Sequence, residues 1–308
     1  MSTFQKFLSS EFPRAEISEI SGSNNQVFLV KDTDEITVAK HVTDTDIPLR
    51  YLAECNKQIA ESLPVQKIHH VMEKDSGDPF DAVFSEYVEG ENLSTALASS
   101  EEIVNPQTTS DFFQKFISAC RGLPRMHEEF GLYKREAPTF ETHHEFVQYY
   151  AQRYWGRVRP FYKGTSVGRA IDDWANHGLA SSAKRKRSSF SVVSIDTNLK
   201  NFVVTADNQI TVLNVPIAGY SSPAHAIGAV GTHLRNLRAH GLFLEKIEND
   251  VSSVDLEMAP HFELWGLLGI MSFYATRQPE NHPEWRNWGS PVTLDEDLKN
   301  LAEKILEK

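Results

Sequence analysis

The chain has 308 residues, with 31 Lys plus Arg against 42 Asp plus Glu, for a formal net charge of −11. Its 40% hydrophobic and 24% charged residues exclude a disordered chain, and its length suits about two lobes around sizeable cores. The acidic balance argues against a nucleic-acid binder and slightly favours a cationic partner.

The first twelve residues lack a basic stretch followed by a long apolar run, so no signal peptide is expected. Ile17–Ile20 reads as a short strand, followed by the polar turn Ser21-Gly22-Ser23-Asn24-Asn25. Gln26–Val30 and Ile36–Val42 read as two strands joined by a short polar turn, a β-hairpin. Pro48 opens a predicted helix over Leu49–Leu63, with Leu49, Leu52, Cys55, Ile59 and Leu63 on one stripe. Ile68–Glu73 and Phe80–Tyr87 are two further predicted strands.

At Gly90 the texture changes. Asn92 or Ser94 can cap a following helix, and Asp111–Arg125, Thr142–Arg153 and Ser166–Gly178 are predicted helices. A β interruption follows at Val192–Ile195, Asn201–Thr205 and Ile210–Leu213. Helices resume after Pro223, the last over Leu294–Leu306. The apolar stretch Phe262–Ala275 carries Glu263, Gly266 and Gly269 and is too short for a membrane span, so a buried helix is expected. The basic run Lys184–Arg187 reads as a solvated loop. Cys55 and Cys120 fit no disulfide framework or metal spacing and read as reduced thiols of a cytoplasmic protein. His127, His143 and His144 make no HExxH site, and no P-loop or GxSxG elbow is present. The aromatics Tyr149, Tyr150, Tyr154, Trp155 and Tyr162 read as packing, with an acceptor pocket as the alternative.

The order of several short signals is more informative than any one of them. A Gly-containing turn at 21–25 lies between strands; Lys40 follows on the next strand and Glu54 on the next helix. A strand then runs into Glu86-Tyr87-Val88-Glu89-Gly90-Glu91-Asn92-Leu93. Far downstream come Ser194-Ile195-Asp196 and Asn201, and after a short β-pair Leu213-Asn214-Val215-Pro216. This series resembles the aminoglycoside and choline phosphotransferase branch of the protein-kinase-like superfamily, over roughly residues 15 to 235. That family's hinge reads close to EYIEGEPL, its catalytic loop H-G-D-x-x-x-x-N, and its metal segment I-D-W-E.

The resemblance implies an α+β, bilobal fold: a small β-rich lobe over 1–89 with one helix, and a larger, mostly helical lobe over 90–308. It implies ATP in the cleft, with the adenine on the backbone of Glu86, Tyr87 and Val88. The phosphates would lie under Ser21, Gly22, Ser23, Asn24 and Asn25, whose amides form a nest. Lys40 would neutralise phosphate charge and Glu54 would aim it. Asp196 would take the proton of the attacking hydroxyl, while Asn201 and Asn214 would offer oxygen to Mg²⁺ or Mn²⁺. The implied activity is ATP-dependent phosphorylation of a hydroxyl on a small molecule, possible cations included, with no nucleic acid and no membrane involved.

Three departures cluster at the implied metal site. Asn214 stands where the family has its metal-binding Asp, Ser194-Ile195 replaces His-Gly, and Ser222 and Ala226 replace acidic residues around Pro223. They open a second reading, a pseudokinase that binds nucleotide or a protein partner without transfer. A protein-directed kinase is a third, disfavoured by the lack of an A-P-E ending after Asn214.

Overall fold

A computed structural model describes residues 2–20, 26–33, 35–42, 48–99, 104–134, 136–179, 190–213 and 218–306. A β-sheet region comes first and a mostly helical region follows. Helix α1 (Thr3–Glu11) opens the chain, and the Ser2 hydroxyl caps it by accepting the Gln5 N–H at 3.1 Å. Strands β1 (Glu16–Ile20), β2 (Gln26–Asp32), β3 (Glu35–His41), β4 (Ile68–Met72) and β5 (Ala82–Glu86) form one antiparallel sheet in the order β1-β2-β3-β5-β4. Phe28, Val30, Ala39, Ala82 and Phe84 pack on Phe4 and Leu8 of α1. Successive strand residues face opposite sides, so burying Ala39 under α1 sends Lys40 to the other face.

Helix α2 (Leu49–Ile59) follows β3. The sequence carries it on to Leu63, but it ends four residues earlier: Glu61 and Ser62 donate to Gln58 and Ile59 in tight turns, and Leu63 is buried without being helical. Its N-terminus is held by the buried Glu73. One carboxylate oxygen accepts the Leu49 N–H at 2.6 Å, and the other pairs with Arg50 Nε at 3.3 Å. A carboxylate is favoured there by the helix dipole. Cys55 and Ile59 turn inward and join the large core of the helical region.

That region contains α3 (Leu93–Ser99), α4 (Pro106–Arg121), α5 (His143–Val158), α6 (Ser166–Asp173), α7 (Pro223–Leu234), α8 (Arg238–Ile247), α9 (Ser253–Arg277) and α10 (Leu294–Leu306). The expected helix over Ser166–Gly178 is α6 continued by a wider turn at Trp174–Gly178. The apolar stretch at 262–275 lies within α9, which packs against α7, a helix buried on every side. Gly228 permits that crossing, since a Cβ there would lie 2.4 Å from the Phe262 Cβ. No helix among the described residues is long and apolar enough to cross a membrane.

Two small sheets complete the frame. β11 (Ile210–Val212), β10 (Phe202–Val204) and β6 (Glu91–Asn92) form one; β8 (Thr139–Phe140), β7 (Phe130–Leu132), β12 (Ala218–Ser221) and β9 (Ser191–Ser194) form the other. The β interruption expected from the sequence is β9, β10 and β11, each within one residue of its expected start. Residues 195–201 thus run between the ends of two anchored strands. Phe202 fixes the far end, held edge-to-face by Phe112, Phe113 and Phe116 of α4 at 5.5, 5.2 and 5.6 Å. Ile195 fixes the near end by packing against both large apolar clusters.

Candidate active site

Asp196 is the centre of the loop between β9 and β10. Its Oδ1 accepts the Asn198 N–H at 3.2 Å, and Asn198 Oδ1 accepts the Lys200 N–H at 3.1 Å. These two side-chain turns wind the loop into the short 3₁₀ segment Leu199–Asn201. Asn201 bonds through its backbone, to Asn198 at 2.8 Å and from Leu213 at 2.8 Å. The hydroxyls of Ser194 and Thr197, on either side of Asp196, are buried with no hydrogen-bond partner among the described residues. Immediately ahead of the aspartate, Ile195 supports the loop by packing against both large apolar clusters.

The sheet contributes Lys40. Burial pushes its ammonium below the usual range, and Asp196 pulls it back up. Lys200 shows the same pattern: burial lowers it and Asp196 opposes. His233 of α7, lowered by burial, is also acted on by Asp196. Burial raises the phenol of Tyr154 on α5, and Asp196 adds to that effect. One carboxylate therefore sits in the field of an ammonium from the sheet, an ammonium from its own loop, and groups from two helices.

Glu54 stands on the exposed side of α2. That helix is turned by its apolar stripe toward the helical core, and the Tyr51 hydroxyl donates to the Pro124 carbonyl at 2.9 Å. Asp196 is a carboxylate that acts on Lys40. Ser21, Gly22, Ser23, Asn24, Asn25 and Asn214 lie outside the described residues, as does the basic run at 184–187.

At the segment expected to be the hinge, the Glu86 N–H donates to Lys67 O at 2.9 Å, and the Tyr87 N–H donates to Ile36 O at 3.2 Å. The Glu86 carbonyl accepts the Gln66 side-chain amide at 2.7 Å, and its carboxylate accepts the Lys67 N–H at 2.8 Å. These bonds tie Glu86 and Tyr87 into the sheet and do not involve Val88. The hinge then closes onto the loop. β6 pairs with β10, and the Asn92 side chain donates to the Lys200 carbonyl at 3.0 Å.

The sequence did not single out Lys200, Trp288, Asn287 or His233. Lys200 Nζ lies 3.2 Å from the centre of the Trp288 indole. The Trp288 N–H donates to Asn287 Oδ1 at 3.0 Å, and Asn287 in turn bonds the Thr232 carbonyl at 3.0 Å and meets His233 Nδ1 at 3.2 Å. Of the aromatics weighed as packing or pocket, Tyr150, Trp155 and Tyr162 are core residues, Tyr149 is exposed, and Tyr154 is part-buried.

No family model matches the chain, and no curated protein matches it. Solved structures do. A thermostable mutant of the aminoglycoside phosphotransferase APH(4)-Ia, in ternary complex with AMP-PNP and hygromycin B, superposes with a TM-score of 0.70 at 14% identity, covering 99% of this chain and 98% of that one. The chain has the protein-kinase-like fold. The choline kinase LicA from Streptococcus pneumoniae matches with a TM-score of 0.59 at 14% identity, over 99% of both chains. A putative fructosamine-3-kinase from Haemophilus somnus matches with a TM-score of 0.59 at 13% identity, over 98% of this chain and 96% of that one. Among the described residues, no group of three or more His, Cys, Asp or Glu could hold a metal ion.

Proposed function

We propose that this chain is an ATP-dependent phosphotransferase acting on a hydroxyl of a small molecule. The observation that carries the reading is the Asp196 loop: its carboxylate is held by the Asn198 N–H between β9 and β10, with Lys40 of the sheet and Lys200 of the loop both in its electrostatic field. Phosphoryl transfer asks a protein mainly for positioning and for positive charge around the transferring group, and that is the chemistry gathered here. Structures of the phosphotransferase relative hold ADP or AMP-PNP together with hygromycin B. Variants of it replace by alanine one aspartate and the asparagines four and five positions later. Placed on Asp196, those two positions are Lys200 and Asn201 here.

In this reading the roles divide as follows. Asp196 Oδ1 is held by the Asn198 N–H, which leaves Oδ2 to orient the acceptor hydroxyl and take its proton. Lys40 would meet the phosphates, together with the turn at 21–25. The backbone of Val88 is the hinge group left to meet the base, since the N–H groups of Glu86 and Tyr87 are occupied. Asn201 and Asn214 would offer amide oxygens, a donor type that hard cations accept. The ion would draw its other ligands from phosphate and water and would neutralise phosphate charge.

Calorimetry tests the reading, with ATP alone, with Mg²⁺ and with Mn²⁺. Metal-dependent binding is expected, weakened at least about tenfold by Lys40→Ala. Turnover on a responsive acceptor should fall by about 10²–10⁴ in Asp196→Asn, and unchanged turnover would remove Asp196 from the chemistry. A second reading, binding without transfer, is favoured by Asn214 at the metal-aspartate position. Nucleotide binding that survives removal of the metal, with no transfer to any acceptor, would support it.

A further inference from the structure

We propose that Lys200, seated on the face of Trp288, is an anion-binding subsite that selects acceptors carrying a carboxylate or phosphate group beside the reacting hydroxyl. The proposal rests on the phosphotransferase reading for what the acceptor is, but not for whether an anion binds.

A lysine side chain is flexible and strongly hydrated, and it is ordinarily left in water. Lys200 is held on both sides of its backbone, by Asn198 Oδ1 at its N–H and by the Asn92 side chain at its carbonyl. Its ammonium rests 3.2 Å from the Trp288 ring centre. The backbone that carries the ring is anchored, through the Trp288 backbone N–H to Asn287 and the Asn287 bonds to Thr232 and His233. Gly289 adopts φ +76 beside it, where a Cβ would lie 3.0 Å from the Ser94 carbonyl oxygen, so this segment lies against the chain just beyond the hinge. Ordering so long a side chain costs conformational entropy. Shielding a tryptophan from water would not require it, and Trp288 remains 50% exposed in any case.

The ammonium retains donors. A π face attracts the cation but does not use up its three N–H groups. Lys200 is only part-buried, so its side chain is within reach of solvent. The loop sets where that side chain starts: the chain of bonds from Asp196 through Asn198 to the Lys200 N–H fixes the Asp196 carboxylate relative to the Lys200 backbone. A molecule whose hydroxyl meets Asp196 would bring its neighbouring substituent to Lys200. The overall charge of −11 favours cations only at long range, and salt screens that field within about 10 Å. At contact distance the fixed ammonium decides.

The test is a titration of the full chain, without nucleotide, read on the Trp288 indole N–H signal by NMR, with Trp288→Phe supplying the assignment. The probes are gluconate for a carboxylate, glycerol 3-phosphate for a phosphate ester, glucose as the neutral control and glucosamine as the cationic one. Gluconate, glycerol 3-phosphate or both should move the Trp288 signal with a Kd roughly tenfold below that of glucose or glucosamine; whichever does so names the anion. Lys200→Gln should erase the difference, and Lys200→Arg should retain it. The proposal is overturned if neither anion moves the signal, if glucosamine binds as tightly, or if the preference survives in Lys200→Gln. Failure of the phosphotransferase reading shows elsewhere, as loss of nucleotide binding in calorimetry, and does not affect this titration.

Discussion

Gly90 shows how one residue can hold a site together. A Cβ at that position would lie 2.3 Å from the Val204 carbonyl oxygen and 2.4 Å from Val203 Cγ1. One obstacle is backbone, so no rotamer change relieves it. The hinge can therefore lie directly against β10, the strand that begins one residue after Asn201. Gly90→Ala should separate β6 from β10 and shift the loop, costing about 1–3 kcal/mol as overpacked sites do. Denaturant unfolding would show a lowered midpoint, and calorimetry a weaker nucleotide affinity. An unchanged midpoint would mean that the strands have slack the geometry denies. In the sequence, Gly90 only marks a change of texture. Its partners lie more than a hundred residues away, and no local pattern reveals a contact of that kind. The same is true of Lys200, which reads as an ordinary loop lysine until Trp288 is placed over it.

At the scale of elements, the four helices α7, α8, α9 and α10 meet around Arg235. Its guanidinium pairs with Glu263 at 2.8 Å and with Asp297 at 3.2 Å; His240 bonds Glu263 at 3.0 Å and Asn236 bonds Asp297 at 2.6 Å. Both carboxylates are almost fully buried. Burial raises the Asp297 carboxyl above its usual range against the pull of Asn236 and Arg235. Removing the cation leaves two buried acids without their guanidinium, so Arg235→Met should cost about 3–5 kcal/mol in urea unfolding. A loss under about 1 kcal/mol would show that water already reaches the cluster. Elements were legible where periodicity and caps agreed. Helix α5 begins just after Thr142, whose side chain and Glu145 form a reciprocal capping box. Helix α1 has half of that arrangement, the Ser2 hydroxyl accepting the Gln5 N–H, and at nine residues it gives little periodicity to read. Helix α4 starts five residues before its expected position, with Asn105 as cap and Pro106 in the first turn. The overrun of α2 has a different cause: Leu63 continues the apolar stripe, but a turn rather than a helix buries it.

The whole molecule carries a pH limit that the sequence does not announce. His143 at the start of α5, Ser221 at the end of β12 and His225 in α7 form a buried chain, at 2.8 Å from His143 Nε2 to Ser221 Oγ and 2.9 Å from Ser221 Oγ to His225 Nδ1. His225 Nε2 is buried with no partner among the described residues. The arrangement that leaves no N–H stranded there has His225 Nδ1–H donating to Ser221, and the Ser221 hydroxyl donating to His143 Nε2. Both rings are then neutral. Burial, reinforced by His144, lowers His143 to about 3, and burial reinforced by His143 takes His225 well below its usual range. A group depressed in the folded state titrates first in the unfolded chain, near pH 6.5 for histidine. The unfolded state therefore binds more protons between that pH and the folded values. Stability is complete above about pH 6.5 and declines as pH falls toward 3, by about 1.4 kcal/mol per pH unit for each imidazole. Urea midpoints measured from pH 7.5 down to 4.5 should fall with this slope. His143→Leu, with Ser221 still bonded to His225, should lose about half of it. If that variant shows the full wild-type slope, the acid sensitivity arises elsewhere, and the carboxylates around Arg235 become the place to look.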